Sequence, residues 1–185
     1  TPTNLYAYPD PVALTTDDVN TILRQAVGEA QARGLPATIS IVDRVGNVLA
    51  VYRMTGANPT DTIPTPPGAG GVNFDAQGVS FPSELAAISK ALTAAYLSSA
   101  GNSFNSRTAS DIVQEHFPKA PVTTGLESGP LFGVQFSQLP CSDLNRRFGT
   151  DGTTGPKRAP LGLSADPGSF AIYKNGFVVG GIGVE

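Results

Sequence analysis

The chain has 185 residues, enough for one domain with a sizeable core, and is 40% apolar but only 15% charged. A formal net charge of −3 with no basic cluster excludes the usual electrostatic nucleic-acid binder. No apolar run approaches the roughly 18 residues of a membrane span.

Glycine (21) and proline (16) are abundant, yet apolar and aromatic residues are interleaved with them, which predicts long ordered loops rather than disorder. The chain opens on Thr1, as a processed, exported protein of the periplasm or extracellular space would. Cys141 is the only cysteine, so no internal disulfide can form.

Residues 1–14 read as an extended arm. "LTTDDVNTILRQAVGEAQARG" predicts a helix, because Val19, Ile22, Leu23, Ala26, Val27 and Ala30 share one face. Thr15 with Asp18, or Thr16 alone, can cap its start, and Gly34 stops it. Residues 37–42 and 47–54 are β-branched runs joined by a turn holding Asp43 and Gly46. From Gly56 to Ser80 there is no period, so 57–80 reads as a loop insertion, of the length used for lids and partner surfaces.

"FPSELAAISKALTAAYLSSAG" predicts a second helix, with Ser83 as N-cap and Leu85, Ile88, Leu92, Ala95 and Tyr96 buried. "TASDIVQEHF" predicts a shorter one, capped by Thr108 with Asp111, with Ile112, Val113, His116 and Phe117 on one side. Residues 119–168 read as a second loop insertion, with a short strand in "LFGVQF". "SFAIYKNGFVVGGIGVE" is a β-hairpin turning at Asn175-Gly176.

Four segments in order, "LTTDDVNTILRQAVGEA", "ISIVDRVGNVLAVYRMTGA", "ISKALTAAYLSS" and "VVGGIGV", resemble the GlcG/HbpS-like haem-binding family with its DUF336-type domain. The resemblance implies an α+β fold in three layers, α/β/α: a profilin-like antiparallel sheet with helices on its faces. Residues 1–185 would form a single such domain, carrying the two insertions. It also implies haem or a related tetrapyrrole as ligand, and homo-oligomers. Thr55 stands where the family has an aspartate. The family continues past its G-G-I-G-V strand into a further helix. Stopping at Glu185 therefore raises the expectation of a second polypeptide, or a segment released by cleavage, that completes the domain.

Haem needs an apolar slot, partners for its propionates and an axial donor from His, Met, Cys or Tyr. The chain has one His, one Met and one Cys. His116, beside Phe117, is either a core histidine or a ligand or acid/base group. Met54 either faces a pocket or fills the core. Lys90 and Arg53 can each pair with a propionate or another small acid, or be solvated. Tyr52 and Tyr96 can line an aromatic slot or pack in the core. Cys141 has no evident base to activate it and reads as a small loop residue. Gly180, Gly181 and Gly183 leave room for a helix, another backbone or a flat ligand.

Binding is therefore the first expectation. The alternatives are an enzyme using Lys90, Arg53 and His116 on a small substrate in the same cleft, and an assembly module built from several copies or two chains. No complete catalytic set is present in the sequence, so no reaction is assigned.

Overall fold

The computed structural model describes residues 12–63, 78–114, 128–139, 142 and 156–185. Its centre is a four-stranded antiparallel sheet in the order β2-β1-β6-β5, made of Thr38–Asp43 (β1), Val48–Arg53 (β2), Ser169–Lys174 (β5) and Phe177–Val184 (β6). Helix α1 (Thr16–Ala32) covers one face and α2 (Ser83–Leu97) the other. This is the α+β, helix-on-both-faces arrangement that the sequence implies.

Strand alternation assigns each residue to a layer. Ile39 and Ile41 point toward α1, level with Val184 and Ile182 of β6. Ser40 and Val42 point toward α2, level with Gly183 and Gly181. Both faces of β1 are buried because both carry a helix.

The two helices are held differently. On α2 the alanine side, Ala87, Ala91, Ala94 and Ala95, is fully buried, and Leu92 is 1% exposed. A Cβ on Gly183 would run into the Ala87 carbonyl and lie 2.6 Å from the Ala91 nitrogen. One on Gly181 would strike the Ala91 carbonyl and lie 3.0 Å from the Ala95 nitrogen. The glycines of β6 therefore let α2 rest directly on strand backbone, so they belong to sheet packing. Arg44, in the β1–β2 turn, donates to the carbonyls of Ala95 and Ser98, satisfying acceptors that the helix end leaves open.

Helix α1 rests more lightly. Its stripe of Val19, Ile22, Leu23, Ala26 and Val27 is only half-buried, and Ala30 alone is buried. Thr15 and Asp18 form the expected capping box. Lys174 of β5 then pins that end through a 2.6 Å ion pair to Asp18.

Several expectations are corrected. Ser83 does not cap α2: Pro82 occupies the N-cap, and the Ser83 hydroxyl donates to the Asn58 carbonyl. Asn105, rather than Thr108 with Asp111, caps α3 (Ser106–Ile112) by accepting from the Thr108 amide. The 57–80 stretch is not all loop, because β3 (Thr60–Thr62) and β4 (Ser80–Pro82) pair antiparallel. Val134–Phe136 is a single 3-10 turn rather than a strand. The closing hairpin forms as read, with Asn175 (φ 53°) and Gly176 (φ 83°) both left-handed, as a two-residue turn of this hand requires. No helix among the described residues is long and apolar enough to cross a membrane.

Candidate functional site

The residues singled out from sequence separate onto two faces. In β2, Tyr52 lies level with Ile39 and Arg53 with Thr38, so the two side chains leave the sheet on opposite sides. Met54 follows the Tyr52 side and packs with Ala30, Ala37 and Ile39 beneath α1. Arg53 faces α2 and pairs with Glu84 at 3.1 Å.

Lys90 and Tyr96 are also on the α2 side, and each is occupied. Lys90, a buried residue, forms an ion pair with the Glu185 carboxylate that lacks aligned hydrogen-bond geometry. The Tyr96 hydroxyl donates to the carbonyls of Lys157 at 2.7 Å and Val45 at 3.1 Å. Burial pushes its phenol above the ordinary value. Spaced six residues apart on α2, Glu84, Lys90 and Tyr96 tie down three separate segments and do not converge. His116 and Cys141 lie outside the described residues.

The open concave surface is on the other face, where the C-terminal half of α1 stands over the end of β2. Two depressions adjoin there. One, of about 320 Å³, lies between Val27, Ala30 and Gln31 of α1, the Gly34–Pro36 connection, and Tyr52, Met54 and Thr55. The other, of about 280 Å³, is bounded by Leu23, Arg24, Val27, Gly28, Gln31 and Tyr52. Val27, Gln31 and Tyr52 belong to both, so the two form one elongated cleft with Tyr52 at its middle. Its size is within the roughly 300–1,000 Å³ of small-molecule sites.

The half of the cleft beside Leu23 is mainly apolar, and the half beside Thr55 is mixed polar and apolar. Leu23, Val27, Ala30 and Leu35 supply hydrocarbon, Arg24 a permanent cation, and Gln31 an amide. Thr55 lies in the cleft as well, with a hydroxyl where the resembled family has a carboxylate. Among the described residues, no group of three or more His, Cys, Asp or Glu could hold a metal ion directly.

Sequence reasoning placed Met54 here and considered Tyr52, but missed Arg24 and Gln31. Both are ordinary polar residues in a helical pattern. Only the short contact between α1 and the β2 edge makes them wall residues. The period-2 alternation of β2 was the available signal that Tyr52 and Met54 share a face and Arg53 does not.

A third depression, of about 230 Å³, lies at the other end of α1, among Leu14, Asp17, Asp18, Thr21, Ile22, Ile172, Tyr173 and Lys174. The Lys174 bond, with further hydrogen bonds from Thr15, holds the Asp18 carboxyl at about 2. Lys174 is thus already committed to Asp18, and Asp17 adds a further carboxylate beside them.

Comparison with known proteins agrees with this architecture. Residues 14–63, which include α1, β1, β2 and most of the cleft wall, match the family of haem degrading protein HbpS-like domains. No curated protein matches the chain. A crystal structure of a PduOC:haem complex is 24% identical with a TM-score of 0.54, covering 94% of this chain and 83% of that one. Klebsiella pneumoniae protein ORFY, of the DUF336 family, is 17% identical with a TM-score of 0.55, over 98% of this chain and 84% of its own. HbpS is 20% identical with a TM-score of 0.50, over 97% and 81%. The chain is thus HbpS-like in sequence over residues 14–63, and its described sheet and helices have the HbpS/DUF336 fold.

Proposed function

We propose that this protein binds haem or a related flat tetrapyrrole in the cleft between α1 and β2. The cleft itself carries the reading: it is elongated, walled by aliphatic side chains, and edged by Arg24. A porphyrin has two wide apolar faces and anionic propionates, so it asks for hydrocarbon on the walls and a cation at the rim. Leu23 and Val27 match the first requirement and Arg24 the second. The haem-bound PduOC structure, similar in fold, supports the choice of ligand.

Each residue has a distinct part. Val27, shared by both halves of the cleft, sets how closely α1 approaches a flat ligand. Leu35, 64% exposed at the mouth, would lose most of its contact with water when the cleft fills. Bound haem would supply a redox-active iron, and the proposed activity is binding. Titration of purified protein with ferric haem should give a saturable shift of the Soret band. Val27→Trp, which fills the middle of the cleft, should abolish it without loss of fold. An unchanged titration would reject this cleft as the site.

A second reading, assembly, rests on the β2 edge. Val48, Leu49, Val51 and Tyr52 are each at least 40% exposed along a strand that, among the described residues, has no neighbour on its outer side. Such an edge is a template for pairing with another strand, and a second copy would supply one. Light scattering of wild type and Val51→Lys tests this, and a wild-type monomer at micromolar concentration would reject it.

A further inference from the structure

We propose that Tyr52 is the iron donor of this cleft, and that the site accordingly takes ferric porphyrin in preference to ferrous; this rests on the haem reading above. The described residues contain three tyrosines, and two have committed hydroxyls. Tyr96 donates to the carbonyls of Val45 and Lys157. Tyr173 donates to those of Ser99 at 2.8 Å and Asn102 at 3.2 Å. The Tyr52 hydroxyl has no partner among the described residues, although its ring borders both halves of the cleft. At 44% exposed, Tyr52 leaves that hydroxyl open to solvent rather than to the fold. Here the unspent hydroxyl sits where a bound ligand would meet it.

Met54 is the competing donor, two residues on and on the same face. It is 9% exposed and packed against Ala30, Ala37 and Ile39, so its thioether is engaged in the core. Tyr52, at 44% exposed, can swing about its side-chain bonds to meet a ligand without opening that core.

The identity of the donor sets the oxidation state favoured. A phenolate is a hard, anionic oxygen ligand and matches Fe³⁺, whereas a thioether is soft and neutral and favours the reduced metal. Tyr52 would give up its hydroxyl proton to solvent as its oxygen replaces water on the ferric iron. No electron is transferred in that exchange. Arg24, on the α1 wall facing Tyr52, has no ion-pair partner among the described residues and can meet a propionate.

The test separates the donor from the cleft by using two probes, ferric haem and metal-free protoporphyrin. Wild type should bind both, with a ferric-phenolate charge-transfer band for haem alone. Tyr52→Phe should bind metal-free protoporphyrin as wild type does, lose the band, and bind ferric haem at least about tenfold more weakly. Reduction with dithionite should weaken wild-type binding and leave Tyr52→Phe little changed. Tyr173→Phe, whose hydroxyl is committed elsewhere, should keep the band. A Tyr52→Phe protein with wild-type haem affinity and spectrum overturns the donor assignment and leaves the cleft standing. Failure of wild type to bind either porphyrin overturns the haem reading and this inference with it.

Discussion

Replacing a single hydrogen by a methyl group should have opposite effects at two glycines of this chain. At Gly183 the new Cβ would meet backbone on α2, with the Ala91 nitrogen at 2.6 Å where ordinary contact begins at 3.4 Å. The Ala87 carbonyl oxygen lies nearer still, so the shift needed is at least 3.4 − 2.6, or 0.8 Å, and neither the helix backbone nor the central strand can rotate away to relieve it. Lifting α2 by that much opens a gap along Ala87, Ala91, Leu92 and Ala95, all 1% exposed or less. A gap of roughly 0.5–1 Å forfeits about a quarter to a half of each dispersion contact. The expected cost is at the upper end of overpacking, about 3 kcal/mol. For a chain of this size that lowers Tm by roughly 6–12 °C. At Gly28, inside α1, a Cβ meets nothing within 4 Å. Gly28→Ala should therefore stabilise by about 0.5–1 kcal/mol, through helix propensity alone. Differential scanning calorimetry on both variants gives the answer. A Gly183→Ala protein melting with wild type would refute the claim that α2 sits on bare strand backbone.

Other perturbations address the ionic and polar ties. Lys90→Met leaves the Glu185 carboxylate without its buried partner and should cost about 3 kcal/mol in urea unfolding, near the low end for breaking such a pair. Asp18 is held at about 2, below its ordinary 3.8, first by Lys174 and then by Thr15. Its stabilising effect is full above pH 3.8 and is lost as pH falls through about 2. Wild type should therefore be more stable than Asp18→Asn at neutral pH, with the gap closing across that window in acid-unfolding curves. Tyr96 has the opposite sign: its raised value makes the neutral phenol the stable form, so its contribution is full below pH 10 and declines as the pH rises beyond. Tyr96→Phe should cost about 1–2 kcal/mol at pH 7, because the hydroxyl's hydrogen bonds to the Val45 and Lys157 carbonyls are lost, and should flatten the alkaline loss of stability.

Local chemistry in the sequence was enough for α1, β1, β2 and the closing hairpin. Each has a period, a cap or a turn pair that admits one conformation. Thr15 with Asp18 and Asn175 with Gly176 act within four residues, and nothing distant competes with them. Helix α2 was recognisable as a helix, but its deepest row was not. Of the expected inner face of Leu85, Ile88, Leu92, Ala95 and Tyr96, Leu92 and Ala95 are buried and Ile88 and Tyr96 pack on the core. The row centred on Ala87, Ala91 and Ala94 nevertheless lies deepest, where Gly181 and Gly183 leave room for nothing larger. That depth depends on one strand, β6, some ninety residues away. The same holds for the site. Met54 and Tyr52 were within reach of strand alternation, but Lys90 was read as a ligand partner because Glu185 is adjacent only in the folded chain. The β3–β4 pair escaped notice because three-residue strands show no period.

The contrast between the two helices gives the molecule a stiff side and a compliant side. Helix α2 is seated on the glycines of β6 like a cog in its track, and it cannot slide or roll without colliding with backbone. Helix α1 is riveted at one end, where Asp18 meets Lys174, and tethered at the other by the turn through Gly34 and Pro36. Its natural displacement is a swing about the riveted end, and the gap beside Tyr52 lies at the far tip of that arc. Small rotations there would make the largest changes in width, so on the binding proposed above the span of the Gly34–Pro36 tether would set how thick a guest fits.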